Sequence, residues 1–136
     1  MAYGSALVDT IQSSTTGTPP QFNDGSGTQI GTLCRAWIQF TGGATPTVNA
    51  SFNVGSITRG GTGNYTINFS SAMPDAKYAV MGSVNGVTAS TYAGSVGPAT
   101  TTALTASSAV ISTFSLTAAN AGSTPDATYI SIAFFR

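Results

Sequence analysis

The only carboxylates in the chain are Asp9, Asp24, Asp75 and Asp126; there is no glutamate and no histidine. That inventory limits the chemistry at once. Without histidine, a Ser/His/Asp or Cys/His relay has no base, and zinc sites built from His and Cys lack their imidazoles. Glycoside hydrolysis needs a pair of carboxyl groups flanking the bond. Asp75 and Asp126 are the pair that would serve, because they occupy an internal echo, Pro74-Asp75-Ala76-Lys77-Tyr78 and Pro125-Asp126-Ala127-Thr128-Tyr129. Turn chemistry accounts for the same residues. Proline presets the first central position, aspartate favours the next, and tyrosine opens a strand. Two similar strand starts are expected here, and no catalytic residue.

Other motifs resolve in the same direction. Asn23-Asp24-Gly25-Ser26-Gly27 has one carboxylate where a tight calcium loop uses several, so a turn is expected and no metal site. Gly60-Gly61-Thr62-Gly63 lacks the strand-loop-helix surroundings of a phosphate cradle and reads as a hairpin turn, with no cofactor. Asn49-Ala50-Ser51, Asn64-Tyr65-Thr66 and Asn68-Phe69-Ser70 match the glycosylation acceptor pattern, but all three fall inside strand-like runs. Trp37, Tyr65, Tyr78 and Tyr92 have the chemistry of a sugar-stacking platform. Trp37, however, lies on the face opposite Ile38 and Phe40, where a subunit contact is the stronger expectation. Arg35 shares that parity and is placed to pair or stack across the same contact.

The elements that must position these residues are strands. Cys34 to Phe40 puts Cys34, Ala36, Ile38 and Phe40 on one face, which predicts a buried thiol for the single cysteine. Thr47 to Val54 alternates Val48, Ala50, Phe52 and Val54 against Asn49, Ser51 and Asn53. Asn64 to Phe69 alternates Tyr65, Ile67 and Phe69 against asparagine and threonine. Period-two alternation of this kind marks strands buried on one face, and the short connections predict an antiparallel meander. Tyr78 to Val87, Thr91 to Val96 and Ala109 to Thr117 continue the pattern more weakly, with 100–106 ambiguous. Tyr129 to Phe135 is apolar on both faces, as in a central strand or one packed against another subunit, which brings Phe134 and Phe135 into the expected interface with Arg35 and Trp37. The fold class is all-β, an antiparallel β-sandwich or jelly-roll-like head of eight or nine short strands over 33–136. Residues 1–32, rich in Ser, Thr, Gly and Pro, read as an extended arm that reaches at most about 110 Å.

Composition narrows the partners. One domain of 136 residues buries roughly two-thirds of its unfolded surface, so no disulfide is required. Charged residues make up 6% of the chain, against about 25% in an ordinary domain. The formal net charge is zero, which disfavours nucleic acid and anionic membranes. No apolar run reaches a membrane span, and Met1-Ala2-Tyr3-Gly4 lacks the pattern of a signal peptide. A neutral, hydroxyl-rich surface has little charge to desolvate, so it packs readily against copies of itself.

Four segments together resemble a recurrent module of tailed-bacteriophage and prophage virion proteins. They are Arg35-Ala36-Trp37-Ile38-Gln39-Phe40, Ala50-Ser51-Phe52-Asn53-Val54-Gly55-Ser56-Ile57-Thr58, Gly61-Thr62-Gly63-Asn64-Tyr65-Thr66-Ile67-Asn68-Phe69 and Ala72-Met73-Pro74-Asp75-Ala76-Lys77-Tyr78-Ala79-Val80. In that family the module usually closes a tail fibre or similar protein as an attachment head. The likeness covers residues 34 to 80 and the closing Phe134-Phe135-Arg136; the segment from Gly82 to Ala127, where variable loops would lie, has no counterpart. The resemblance implies a non-enzymatic structural protein at the virion surface, a homotrimer with other virion proteins as partners and host-surface glycans as candidate receptors. No binding residue carries over. Fibre proteins have a virion anchor and a long shaft, whereas here the module begins after about thirty residues. A short fibre on a larger tail component and a capsid decoration protein held by its arm both fit. A stand-alone carbohydrate-binding domain is the alternative outside that class.

Overall fold

The computed structural model describes residues 8–12, 14, 20, 22–86, 94–99, 104–115 and 126–136. The chain divides into two units, Met1–Leu33 and Cys34–Arg136. Within the first, in the stretch read as an arm, β1 (Phe22–Asn23) pairs antiparallel with β2 (Gln29–Gly31). Their turn is built by Asp24. One carboxylate oxygen accepts from the Ser26 N–H, the Ser26 hydroxyl and the Thr28 N–H, each at 2.9 Å.

The second unit is all-β and antiparallel. Its strands are β3 (Cys34–Thr41), β4 (Thr47–Phe52), β5 (Val54–Gly61), β6 (Asn64–Phe69), β7 (Ala79–Asn85), β8 (Gly94–Pro98), β9 (Ser108–Ser115) and β10 (Tyr129–Phe135). They form one sheet in the order β4-β3-β10-β7-β8-β9-β6-β5, curled into a nearly closed barrel. Eight strands thus lie in the second unit, within the eight or nine expected for 33–136, with two more in the stretch read as an arm; no helix occurs among the described residues.

Three sequence expectations are corrected here. Thr47 to Val54 is not one strand, because Asn53 adopts φ 56° and ends β4 after Phe52. Consequently β4 and β5, consecutive in the chain, become the opposite edges of the sheet, and the expected three-strand meander does not form. Nor does the run bury one face: every residue of β4 is exposed, and a bulge between Gln39 and Phe40 sets Val48 opposite Phe40 while Ala50 stays opposite Gln39. The third correction is Cys34, which is half-buried, its thiol 3.1 Å from the Ala36 carbonyl.

Asn53 fastens the bend it creates. Its amide nitrogen donates to the carbonyls of Arg35 and Ser71, both at 3.0 Å, and its amide oxygen accepts from the Ser71 N–H at 2.7 Å. Asparagine tolerates the left-handed region because its short side chain bonds locally. Here it also ties β3, neighbour of one edge, to the chain leaving β6, neighbour of the other.

The core lies inside the curl, where the inward parity of each strand is apolar. Ala36, Ile38 and Phe40 of β3 meet Tyr65, Ile67 and Phe69 of β6, Ala109 and Ile111 of β9, and Ile130, Ile132 and Phe134 of β10. Phe69, Tyr78 and Phe134 pack edge to face in a mutual triad with centroids 5.1 to 5.9 Å apart. β10 is central, between β3 and β7, which accounts for its apolar character on both faces. In β9 the buried parity is Ala109, Ile111, Thr113 and Ser115, while Val110 and Phe114 are half-buried; Leu116 lies outside the described residues. So do Tyr92, Pro125, Val87, Thr91, Ala93 and Thr117 of the weaker strand readings, and 100–103. Gly82 permits a close approach that no side chain would allow. A Cβ there would sit 2.4 Å from Val96 Cγ1 and 2.5 Å from the Ser131 carbonyl oxygen.

Candidate functional site

The carboxylates of the internal echo come first, as the pair that glycoside hydrolysis would require. Asp126 precedes β10 and faces the β5–β6 hairpin. Arg59 grips it with both arms, Nε to Oδ1 at 3.2 Å and Nη2 to Oδ2 at 2.6 Å. Oδ1 also accepts from the Tyr65 hydroxyl at 2.6 Å and the Gly63 N–H at 2.8 Å. The Tyr65 oxygen in turn accepts from the Gly43 N–H at 3.1 Å. The Arg59 guanidinium, aided by Gly63 and Tyr65, holds the Asp126 carboxyl down at about 2. Burial, reinforced by the bond to Asp126, pushes the Tyr65 phenol up to about 12. Asp126 is therefore an ionised anchor with both oxygens engaged.

Asp75 repeats the device on the other half of the echo. Arg136 donates from Nε at 2.8 Å and Nη2 at 2.7 Å, and the Lys77 N–H adds a turn bond at 2.8 Å. Arg136 is the main reason its carboxyl lies at about 2. The tyrosines of the two echoes diverge. Tyr78 is buried, its hydroxyl 2.8 Å from the Ser108 carbonyl, and burial pushes it up to about 12. Tyr129 is exposed and its hydroxyl meets the Gln39 amide. Among the described residues no cluster of three or more potential metal ligands forms.

The second candidate is a surface. Strand register carries Trp37 opposite Phe52 on one side and Ala133 on the other, and Ala133 opposite Met81. A row of apolar side chains, Phe52-Trp37-Ala133-Met81, thus crosses four strands on the outer face. Beside it runs a neutral polar row, Gln39-Ser131-Ser83. Between them lies an open groove of about 630 Å³, lined also by Ala50 and Phe135, with no charged residue in its wall. Trp37, Phe52 and Met81 are 39%, 55% and 65% exposed, high for such large apolar groups.

Of the four residues expected at an interface, the structure brings three to this side and separates the fourth. Trp37 and Phe135 line the groove, and Arg35 shares their outward parity in β3, half-buried. Phe134 points the other way and is fully buried in the core triad. Phe52 and Met81 escaped the sequence reading. The alternation of its run puts Phe52 on a buried face, and Met81 joins Trp37 only through β10, a strand almost fifty residues later. Of the aromatic platform, Tyr65 and Tyr78 are core residues. The three glycosylation-like asparagines lie within β4 and β6, as expected. No family model, curated protein or solved structure matches the chain.

Proposed function

We propose that this chain is a non-enzymatic structural subunit of a bacteriophage particle, a surface module serving as a fibre or attachment head. One observation carries the reading: the segments that resemble the virion module form β3 through β6 and the start of β7, with a neutral exterior and one exposed apolar face. In sandwich terms, β4-β3-β10-β7 is one layer and β8-β9-β6-β5 the other, with the core between. Asp75 and Asp126, the one pair fit for hydrolysis, are each bound by an arginine. That supports a role without catalysis. The partners are other virion proteins and further copies of the chain, in a homotrimer, at the particle surface. Mass spectrometry of purified particles from the phage or prophage that encodes the chain tests the reading. Stoichiometric presence supports it, and absence from intact particles overturns it.

The groove favours a second reading. A tryptophan ring beside Gln39, Ser83 and Ser131, with no charged residue in the groove wall, matches the faces and hydroxyls of a neutral glycan. Retention of the protein on host-surface polysaccharide, lost in Trp37→Ala, would favour a carbohydrate-binding head over a purely structural one.

A further inference from the structure

We infer that the outer face of β4-β3-β10-β7 is where copies of this chain meet, through the row Phe52-Trp37-Ala133-Met81. The inference deepens the structural-subunit reading by locating its self-contact. Three observations converge on it. The first is area. At about 200 Å² for a fully exposed large side chain, Trp37, Phe52, Met81 and Tyr129, exposed by 39%, 55%, 65% and 44%, present about 400 Å². That is half of the ~800 Å² each partner buries in a standard interface. The exposed β4 strand adjoins the row and supplies more. The second is asymmetry. The corresponding outward positions of β5 and β6 are Ser56, Thr58, Asn64, Thr66 and Asn68, and the outward Val110 and Phe114 of β9 are half-buried, so among the described residues of the second unit the exposed large apolar groups lie on β3, β4, β7 and β10.

The third is charge, which selects the occupant. The face carries a single charged residue, Arg35, and the chain has no net charge. A face of strong single sign repels its own copy; this one does not, and its flat apolar row is complementary in chemistry to itself. The β4 edge adds to this. Among the described residues Thr47–Phe52 pairs only with β3; it holds no charge and no proline, and is exposed along its whole length. Such an edge is ordinarily covered or blunted.

The test is light scattering of the full chain at several concentrations, for the wild type, Met81→Asp and Thr58→Asp. Met81 is 65% exposed, so the aspartate is compatible with the fold, which circular dichroism and a melting curve verify. The expected result is a defined oligomer for the wild type and for Thr58→Asp, on the opposite side, with Met81→Asp reduced to the 13.6 kDa monomer. A wild-type monomer at every concentration overturns the inference, as does an oligomer that Met81→Asp leaves intact. A monomer whose groove instead retains oligosaccharide through Trp37 assigns the face to glycan and also overturns it. None of these outcomes bears on whether the protein is found in particles.

Discussion

Replacing Asn53 tests whether one residue holds the two sheet edges together. Asn53→Ala removes three side-chain hydrogen bonds and leaves an alanine at φ 56°. The bond to the Arg35 carbonyl is partly buried and contributes about 1 kcal/mol; the two to Ser71 are exposed and contribute about 0.5 kcal/mol each. The left-handed backbone costs alanine about 1 kcal/mol more than asparagine. The expected loss is about 3 kcal/mol. Asn53→Gly loses the same bonds without the backbone penalty, so its loss is about 2 kcal/mol. In urea, with a slope of about 2 kcal/mol per molar, the midpoint falls by about 1.5 M for alanine and about 1 M for glycine. If both variants stay within about 0.5 kcal/mol of wild type, Asn53 is a passive bend. If glycine is as damaging as alanine, the backbone part of the reasoning is wrong.

Three further outcomes are expected. Tyr65→Phe removes a donor to Asp126 and the acceptor of the Gly43 N–H, costing about 2 kcal/mol in urea unfolding. Asp75 and Asp126 are both lowered from 3.8 to about 2. A carboxylate with a depressed folded pKa stabilises the fold above its unfolded value and loses that contribution as pH falls toward the folded one. Stability should therefore drop between about pH 4 and pH 2, and Asp126→Asn, less stable at neutral pH, should show a shallower drop. Gly82→Ala should cost about 1–3 kcal/mol, and adding Val96→Ala should not restore it, because the Ser131 carbonyl oxygen still lies 2.5 Å from the new Cβ.

Local periodicity made β3 and β6 legible, because their alternation reports the buried parity Ala36-Ile38-Phe40 and Tyr65-Ile67-Phe69 directly, and the apolar run of β10 reports its central place in the sheet. β4 misled for a physical reason. Val48, Ala50 and Phe52 alternate with polar residues just as a half-buried strand would, yet hydrophobic alternation records only which side chains share a face, and a bulge and an edge position decided the outcome. Asn53 was readable only as a polar position in that alternation. Its positive φ depends on partners at Arg35 and Ser71, eighteen residues away on either side. The outer-face row was hidden for the same reason. Trp37 was visible on its own strand, but its neighbours Met81 and Ala133 are set by cross-strand register, which no single run contains.

The echo of Pro-Asp-Ala-Xaa-Tyr links the fold to the proposed role. Its turn function was legible; the arginine partners were not, since Arg59 precedes Asp126 by 67 residues and Arg136 follows Asp75 by 61. Those two bidentate pairs consume four of the eight charged side chains of the chain. Asp24 is turned inward on its own hairpin turn. Outside these pairs and turns stand Asp9, Lys77 and the half-buried Arg35, while the exposed Asp75–Arg136 pair is neutral as a couple. Charge in this protein thus fastens strand ends and turns rather than keeping molecules apart. A surface whose few charges are largely neutralised in this way offers little electrostatic resistance to contact with another copy. The apolar row across β4-β3-β10-β7 supplies the attraction that the missing charges do not oppose. If association instead depended on Arg35, Arg35→Ala would dissolve the oligomer while Met81→Asp spared it, and the apolar face would not be the driving surface.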